Sequence, residues 1–163
     1  HNVYGEYQNI GDKYRNVVGI FMNQLMQGQD LTIFGDGSQT RAFSYIGDIA
    51  PQIASSISNP SAINQTFNIG ADKEYTVKEL AETTQMVMGL SGKINFLEAR
   101  NEVVHAYADH SKAKLIFNQS ESTSLEKGLK KMAIWAKKTG SRKSSTFGEI
   151  EIKENIPAIW LKD

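Results

Sequence analysis

Between Asn16 and Gln27 the apolar residues Val17, Val18, Phe21, Leu25 and Met26 recur at helical spacing, and Gly28 stands where such a run can end. This predicts a first helix. Leu31 to Phe34 is a short β-prone run stopped by Gly35-Asp36-Gly37, and Thr40 to Ile46 carries Phe43 and Tyr45 beyond it, so two strands flank a glycine-rich turn. Asp48 suits the N-cap of a helix over Ile49 to Ile57, with Pro51 tolerated in the first turn. Thr66 to Ile69 reads as a strand closed by Gly70. Thr76 and Glu79 form a capping box for a helix reaching about Met88, and Lys93 to Leu97 is a further strand. Two more helices are predicted over Ser111 to Phe117 and Ser124 to Lys138, the second with Leu125, Leu129, Met132 and Trp135 on one stripe.

Beyond Thr139 the pattern changes. Gly140 to Thr146 is polar and basic, and Phe147 to Leu161 is again apolar, with Ile150, Ile152, Ile156, Ile159 and Trp160. The division expected is a body over 1–139 and, over 140–163, a linker with a strap that packs back onto it. Helices and strands alternate without any internal repeat, which places the chain in the mixed α/β class.

At 163 residues the chain can bury about two-thirds of its unfolded surface in one core. Lysine and arginine number 18 and aspartate and glutamate 18, so the net charge of zero offers no general field for nucleic acid. Residues 1–100 nevertheless stand at −3 and residues 101–163 at +3, and the lysines after Leu125 read as a solvated helix face. The chain has no cysteine, which excludes disulfides, thiolate metal sites and a thiol nucleophile. No apolar run approaches the roughly 18 residues a membrane span needs, and no secretory leader opens the chain, so a soluble cytoplasmic protein is expected. The start is unusual. Asn2-Val3-Tyr4-Gly5 reads as the end of a strand entering a turn, and the expectation is that His1 joins the molecule part-way.

Three histidines, His1, His105 and His110, have no partners at metal spacing, so no metal site is expected, and His105 reads as a structural or solvent-facing loop residue. There is no Gly-x-Ser-x-Gly, Gly-x-Gly-x-x-Gly or Gly-Lys-Ser/Thr motif. A polar ligand site fits the residues better than a reaction centre. Arg41 follows the glycine turn on an aromatic strand, where its forked donors suit phosphate oxygens. Its other reading is a surface arginine paired with Asp36 or Asp48. Arg100 with Glu102 is a second candidate, and Asn16 serves either a ligand or the helix as its N-cap.

Taken together, these segments resemble the C-terminal, substrate-binding half of the extended short-chain dehydrogenase/reductase family, the nucleotide-sugar epimerases and dehydratases typified by UDP-glucose 4-epimerase. The stretch Leu31-Thr-Ile-Phe-Gly-Asp-Gly-Ser-Gln-Thr-Arg-Ala-Phe-Ser-Tyr-Ile-Gly-Asp-Ile49 carries most of the likeness. Asn2-Val-Tyr-Gly5, Tyr14-Arg-Asn-Val17, Phe67-Asn-Ile-Gly70 and Ala106-Tyr-Ala-Asp-His-Ser-Lys-Ala113 follow in the family's order, and the likeness runs to about residue 138.

The resemblance implies that Asn2 contacts a diphosphate, and that Asn16 and Val17 touch the diphosphate or sugar. It implies that Leu31, Thr32 and Phe34 line a base pocket and that Arg41 holds the diphosphate. Arg100 and Glu102 would reach the second phosphate and the ribose, from an Arg-x-Glu loop where many members have Arg-x-Gly-Asp/Glu. His1 would lie near the nicotinamide. The implied substrate is a UDP-hexose and the implied cofactor NAD, with no role for nucleic acid or membrane. The dinucleotide fingerprint and the Tyr-x-x-x-Lys catalytic pair belong to the half that would precede His1, so no catalytic residue is expected here. The parent would be a homodimeric 4-epimerase, and this piece would be inactive alone and able to self-associate through the face left open. A dehydratase, decarboxylase or reductase of the same family, or a non-catalytic binding module, are the other readings.

Overall fold

Residues 2–12, 15–118 and 121–143 are described in a computed structural model. Helix α1 (Val17–Met26) starts where the Oδ1 of Asn16 accepts from the Val18 amide at 3.0 Å, and it presents Val18, Phe21, Met22 and Leu25 to the core. Gly28, at φ 70°, turns the chain out of it. Strand β2 (Leu31–Phe34) follows with a strict alternation, in which Leu31 and Ile33 are buried and Thr32 and Phe34 are half-exposed. Its partner is β5 (Ile94–Leu97), parallel to it with Leu31 opposite Ile94.

The two strands flanking Gly35-Asp36-Gly37 do not pair with each other. Strand β3 (Thr40–Tyr45) is the centre of a separate sheet, where it lies parallel to β1 (Asn2–Tyr4) and β6 (His105–Ala106) and antiparallel to β4 (Glu74–Thr76). The glycine turn therefore carries the chain from one sheet to the other. A side-chain to main-chain bond reinforces the passage, since Gln39 Nε2 donates to the Phe34 carbonyl at 2.8 Å.

Helices α2 (Ile46–Ser56), α3 (Val77–Met88), α4 (Ser111–Phe117) and α5 (Leu125–Thr139) complete the body. The Thr76–Glu79 capping box opens α3 as predicted, and Ser124 caps α5. Helices α1, α3 and α5 pack together over the sheets. Phe21, Met22, Leu80, Met88, Leu129 and Met132 form the centre of the core with Tyr4 and Phe43. Trp135 is half-buried and stacks at a tilt on Tyr7, with ring centroids 5.9 Å apart.

Several expectations change. Helix α2 begins at Ile46, and Asp48 sits inside its first turn instead of capping it. Its carboxylate accepts from the Thr123 amide at 2.7 Å and hydroxyl at 2.8 Å, which ties the approach to α5 onto α2. Thr66–Ile69 is not a strand; the nearby Ala71 amide is instead bound to a side chain, donating to Ser44 Oγ at 2.9 Å. His105 is not in a loop but in β6. The apolar residues predicted for this helix do not all face inward: Ile49 is buried, whereas Ile53, and Ile57 just past its end, are 56% and 90% exposed. Past α5, Asn23 holds the chain by a pair of bonds to the main chain of Arg142, its Nδ2 to the carbonyl and its Oδ1 from the amide, each 2.9 Å. The predicted strap over Phe147 to Leu161 lies outside the described residues. No helix among the described residues is long and apolar enough to cross a membrane.

One cluster sets an acid limit on stability. Asp72 accepts from Lys114 and from the fully buried His110, the latter at 3.0 Å, and these bonds, Lys114 foremost, hold its carboxyl below the ordinary value against the opposing effect of partial burial. A carboxyl with a lowered folded pKa contributes its stability in full above the unfolded value of about 3.9 and loses it as the pH falls toward the folded value. Glu79, lowered by its capping bonds to Thr76, acts in the same direction. The urea midpoint should stay level near neutrality and drop as the pH is taken below about 4. Asp72→Asn should flatten part of that drop. An acid limb identical in the two proteins would remove Asp72 from this role.

Candidate functional site

A cleft of ≈ 240 Å³ opens over the seam between the two sheets, lined by residues of β1, α1, β2, β3 and the loop before β6. The half-exposed face of β2 brings Thr32 and Phe34 to one wall. Arg100 stacks on Phe34, its guanidinium carbon 3.2 Å from the ring centroid, so a flat cation covers the aromatic face. Burial lowers the Arg100 pKa, and the nearby Glu102 carboxylate works the other way. The guanidinium remains charged at neutral pH.

Arg41 stands on the facing strand. Its Nη1 donates to the main-chain oxygens of Thr40 at 2.8 Å and Val104 at 3.1 Å, and its Nη2 to Glu102 at 3.0 Å. Its expected alternative partners are engaged elsewhere: Asp36 accepts from Ser38 and Asp48 from Thr123. The side chain is only 15% exposed, so a fork of donors is held rigid at the edge of the cleft. Arg15, paired with Asp12 at 2.7 Å, adds a third guanidinium to the lining, and Asn2 adds an amide.

Seven of the residues singled out in the sequence thus share one cleft: Asn2, Val17, Thr32, Phe34, Arg41, Arg100 and Glu102. Two do not line it. Leu31 points into the core, and Asn16 is engaged as the helix cap while its Nδ2 donates to the Val3 carbonyl at 2.6 Å, joining α1 to β1. His1 lies outside the described residues. Gln39, Val77, Ile20 and Phe21 complete the walls. Nothing local in the sequence marks Ile20 and Phe21, whose helical periodicity serves core and cleft alike, whereas Gln39 sits in the glycine-turn string and was within reach.

Three guanidinium groups and one carboxylate beside the Phe34–Arg100 stack suit a ligand that carries both anionic oxygens and hydroxyl groups. Burial raises the pKa of Tyr4, and burial with the Glu6 carboxylate pushes Tyr45 up to about 12; neither ring lines the cleft. Among the described residues no group of three histidine, aspartate or glutamate side chains is placed to hold a metal ion.

Residues 1–70 match the NAD dependent epimerase/dehydratase family. The epimerase/dehydratase likeness extends along most of the chain. A UDP-glucuronic acid decarboxylase of Xenopus tropicalis is 31% identical over 138 residues, 84% of this chain and 32% of that protein. Among solved structures, the UDP-glucose 4-epimerase of Thermotoga maritima with UDP-glucose superposes with a TM-score of 0.72 at 29% identity, over 85% of this chain and 44% of that one. The UDP-glucuronic acid 4-epimerase of Bacillus cereus, in complex with UDP-glucuronic acid and NAD, gives 0.75 at 28% identity, over 85% and 43%. The fold is therefore that of the epimerase structures, and the chain spans less than half the length of these relatives.

Proposed function

We propose that this chain is the nucleotide-sugar-binding part of an NAD-dependent UDP-sugar 4-epimerase that works in the cytoplasm. The observation that carries the reading is the rigid Arg41 fork facing the Phe34–Arg100 stack across one cleft. In it the uracil lies at the β2 wall against Thr32 and Phe34, Arg41 and Arg100 take the diphosphate, and Glu102 takes a ribose hydroxyl. Burial of the phosphates against fixed guanidinium groups supplies the affinity, and the stack supplies the orientation.

The described residues do not form a dinucleotide cradle: no Gly-x-Gly-x-x-Gly joins a strand to a helix here, and no Tyr-x-x-x-Lys is present. In this reading NAD and the hydride chemistry belong to residues outside the chain, and the chain alone does not turn over substrate. The exposed Ile53 of α2 and Ile57 just past its end, with Ile46 at 36%, fit a surface covered in a larger molecule, in line with the relatives' greater length. Left open, that face supports self-association. The body over 1–139 and the tail over 140–163 are taken as the working division, and a homodimeric parent is part of the same proposal.

A second reading, a decarboxylase of UDP-glucuronic acid, is favoured by the Xenopus relative and by the extra guanidinium of Arg15 in the cleft. Calorimetric titration of the 163-residue chain with UDP, UDP-glucose, UDP-glucuronic acid and dTDP-glucose tests both. Binding of UDP and UDP-glucose with a Kd on the order of 0.1 mM is expected. A flat response to all four would defeat the nucleotide reading, and a marked preference for the glucuronic acid form would favour the second. Interconversion of UDP-glucose and UDP-galactose by the purified chain with added NAD would overturn the placement of the chemistry elsewhere.

A further inference from the structure

The aim of Arg41 depends on a loop. Two of its three acceptors, the Val104 carbonyl and the Glu102 carboxylate, belong to the segment just before β6. That segment joins the sheet through a strand of only two residues, with the Thr40 amide donating to the Val104 carbonyl at 2.9 Å. A ladder so short holds its register weakly. Side chains extend it. His105 of β6 and Thr40 of β3 meet at 2.9 Å between Nδ1 and Oγ1, and the Thr40 hydroxyl donates to Glu74 of β4 at 2.6 Å. Three strands are thereby joined in one row.

Proton counting fixes the direction of the row. A hydroxyl has one hydrogen, and the short bond to the carboxylate takes it. The contact to the imidazole then has Nδ1–H as donor and Oγ1 as acceptor. The carboxylate at the far end polarises the hydroxyl and makes its oxygen the better acceptor.

We propose that His105 is a positioning residue of the cleft: through Thr40 and Glu74 it holds residues 102–104 at the register in which Val104 and Glu102 aim the Arg41 fork. The role rests on the nucleotide reading only for the ligand, since the register itself is measurable without one.

The test uses the whole chain, with UDP as probe and the hydrogen exchange of the Thr40 amide as a ligand-free readout. His105→Ala should weaken UDP binding about fivefold, the size of one hydrogen bond, and should speed exchange at Thr40. His105→Asn places an amide donor where Nδ1 stood, and it should restore both. Thr40→Val, which keeps the shape and deletes the hydroxyl, should mimic His105→Ala. UDP affinity and Thr40 exchange unchanged in His105→Ala would overturn the proposal, as would a failure of His105→Asn to restore either, which would reduce the imidazole to a space-filler. If the unaltered chain does not bind UDP, the nucleotide reading fails, and exchange at Thr40 alone still decides whether the row sets the register.

Discussion

Arg41→Ala should weaken UDP binding about fiftyfold in calorimetry while leaving the melting temperature nearly unchanged. Charge-assisted bonds of this kind contribute about 1.5–3 kcal/mol each, and in the proposed function the fork would supply at least one to a phosphate. The loss exceeds that of a free surface arginine because three protein acceptors already hold the group in place, so little freedom remains to be lost on binding. Arg41→Lys should recover only a small part. One ammonium cannot serve Thr40, Val104, Glu102 and a phosphate with the same geometry. The fold should tolerate either change, since Glu102, 41% exposed, turns to water when its partner is gone. Affinity for UDP equal to that of the unaltered chain would remove Arg41 from the site.

The largest effect on stability is expected at a position with no side chain. A methyl group on Gly128 of α5 would overlap the phenol oxygen of Tyr4 and come within 2.9 Å of its Cζ. Tyr4 is fully buried and its hydroxyl donates to the Leu125 carbonyl at 3.4 Å, so the ring has no room to swing aside. Alanine adds about 1 kcal/mol of helix propensity, and overpacking costs about 1–3 kcal/mol. A contact of 2.1 Å takes the cost to the upper end of that range, so packing wins, for a net loss of about 2 kcal/mol and a fall of about 5 °C in Tm for a chain of this size. Tyr4→Phe in the same background should recover part of the loss by removing the oxygen. A Gly128→Ala protein that melts at or above the unaltered chain would contradict this.

The helices were legible where a capping residue and an apolar period coincide. Asn16, the Thr76–Glu79 pair and Ser124 each stand one residue before a stripe that packs inward, and α1, α3 and α5 follow within a residue or two. Asp48 shows why the rule misleads elsewhere. An aspartate favours both the cap and the first turn, and here a bond to Thr123, far along the chain, decides between them. Thr66–Ile69 shows the same dependence for strands, since a β-prone run becomes a strand only where a partner edge lies beside it, and this one pairs with none. In the cleft, Arg41, Phe34 and Glu102 were legible from the motif order. The partnership of Arg41 with Glu102, and the place of Arg15, Ile20 and Val77, were not, because the first depends on how β6 pairs with β3 and the others on how distant elements meet around the cleft.

That meeting has a mechanical meaning. The sheets on either side of Gly35 to Gln39 share no ladder, and the cleft lies across the joint between them. A ligand that touches Thr32 on one side and Arg41 on the other is a cross-brace, and some of its binding free energy goes into stiffening the frame. The molecule so braced would transmit strain from base to diphosphate as a single lever, with the glycine turn as its fulcrum.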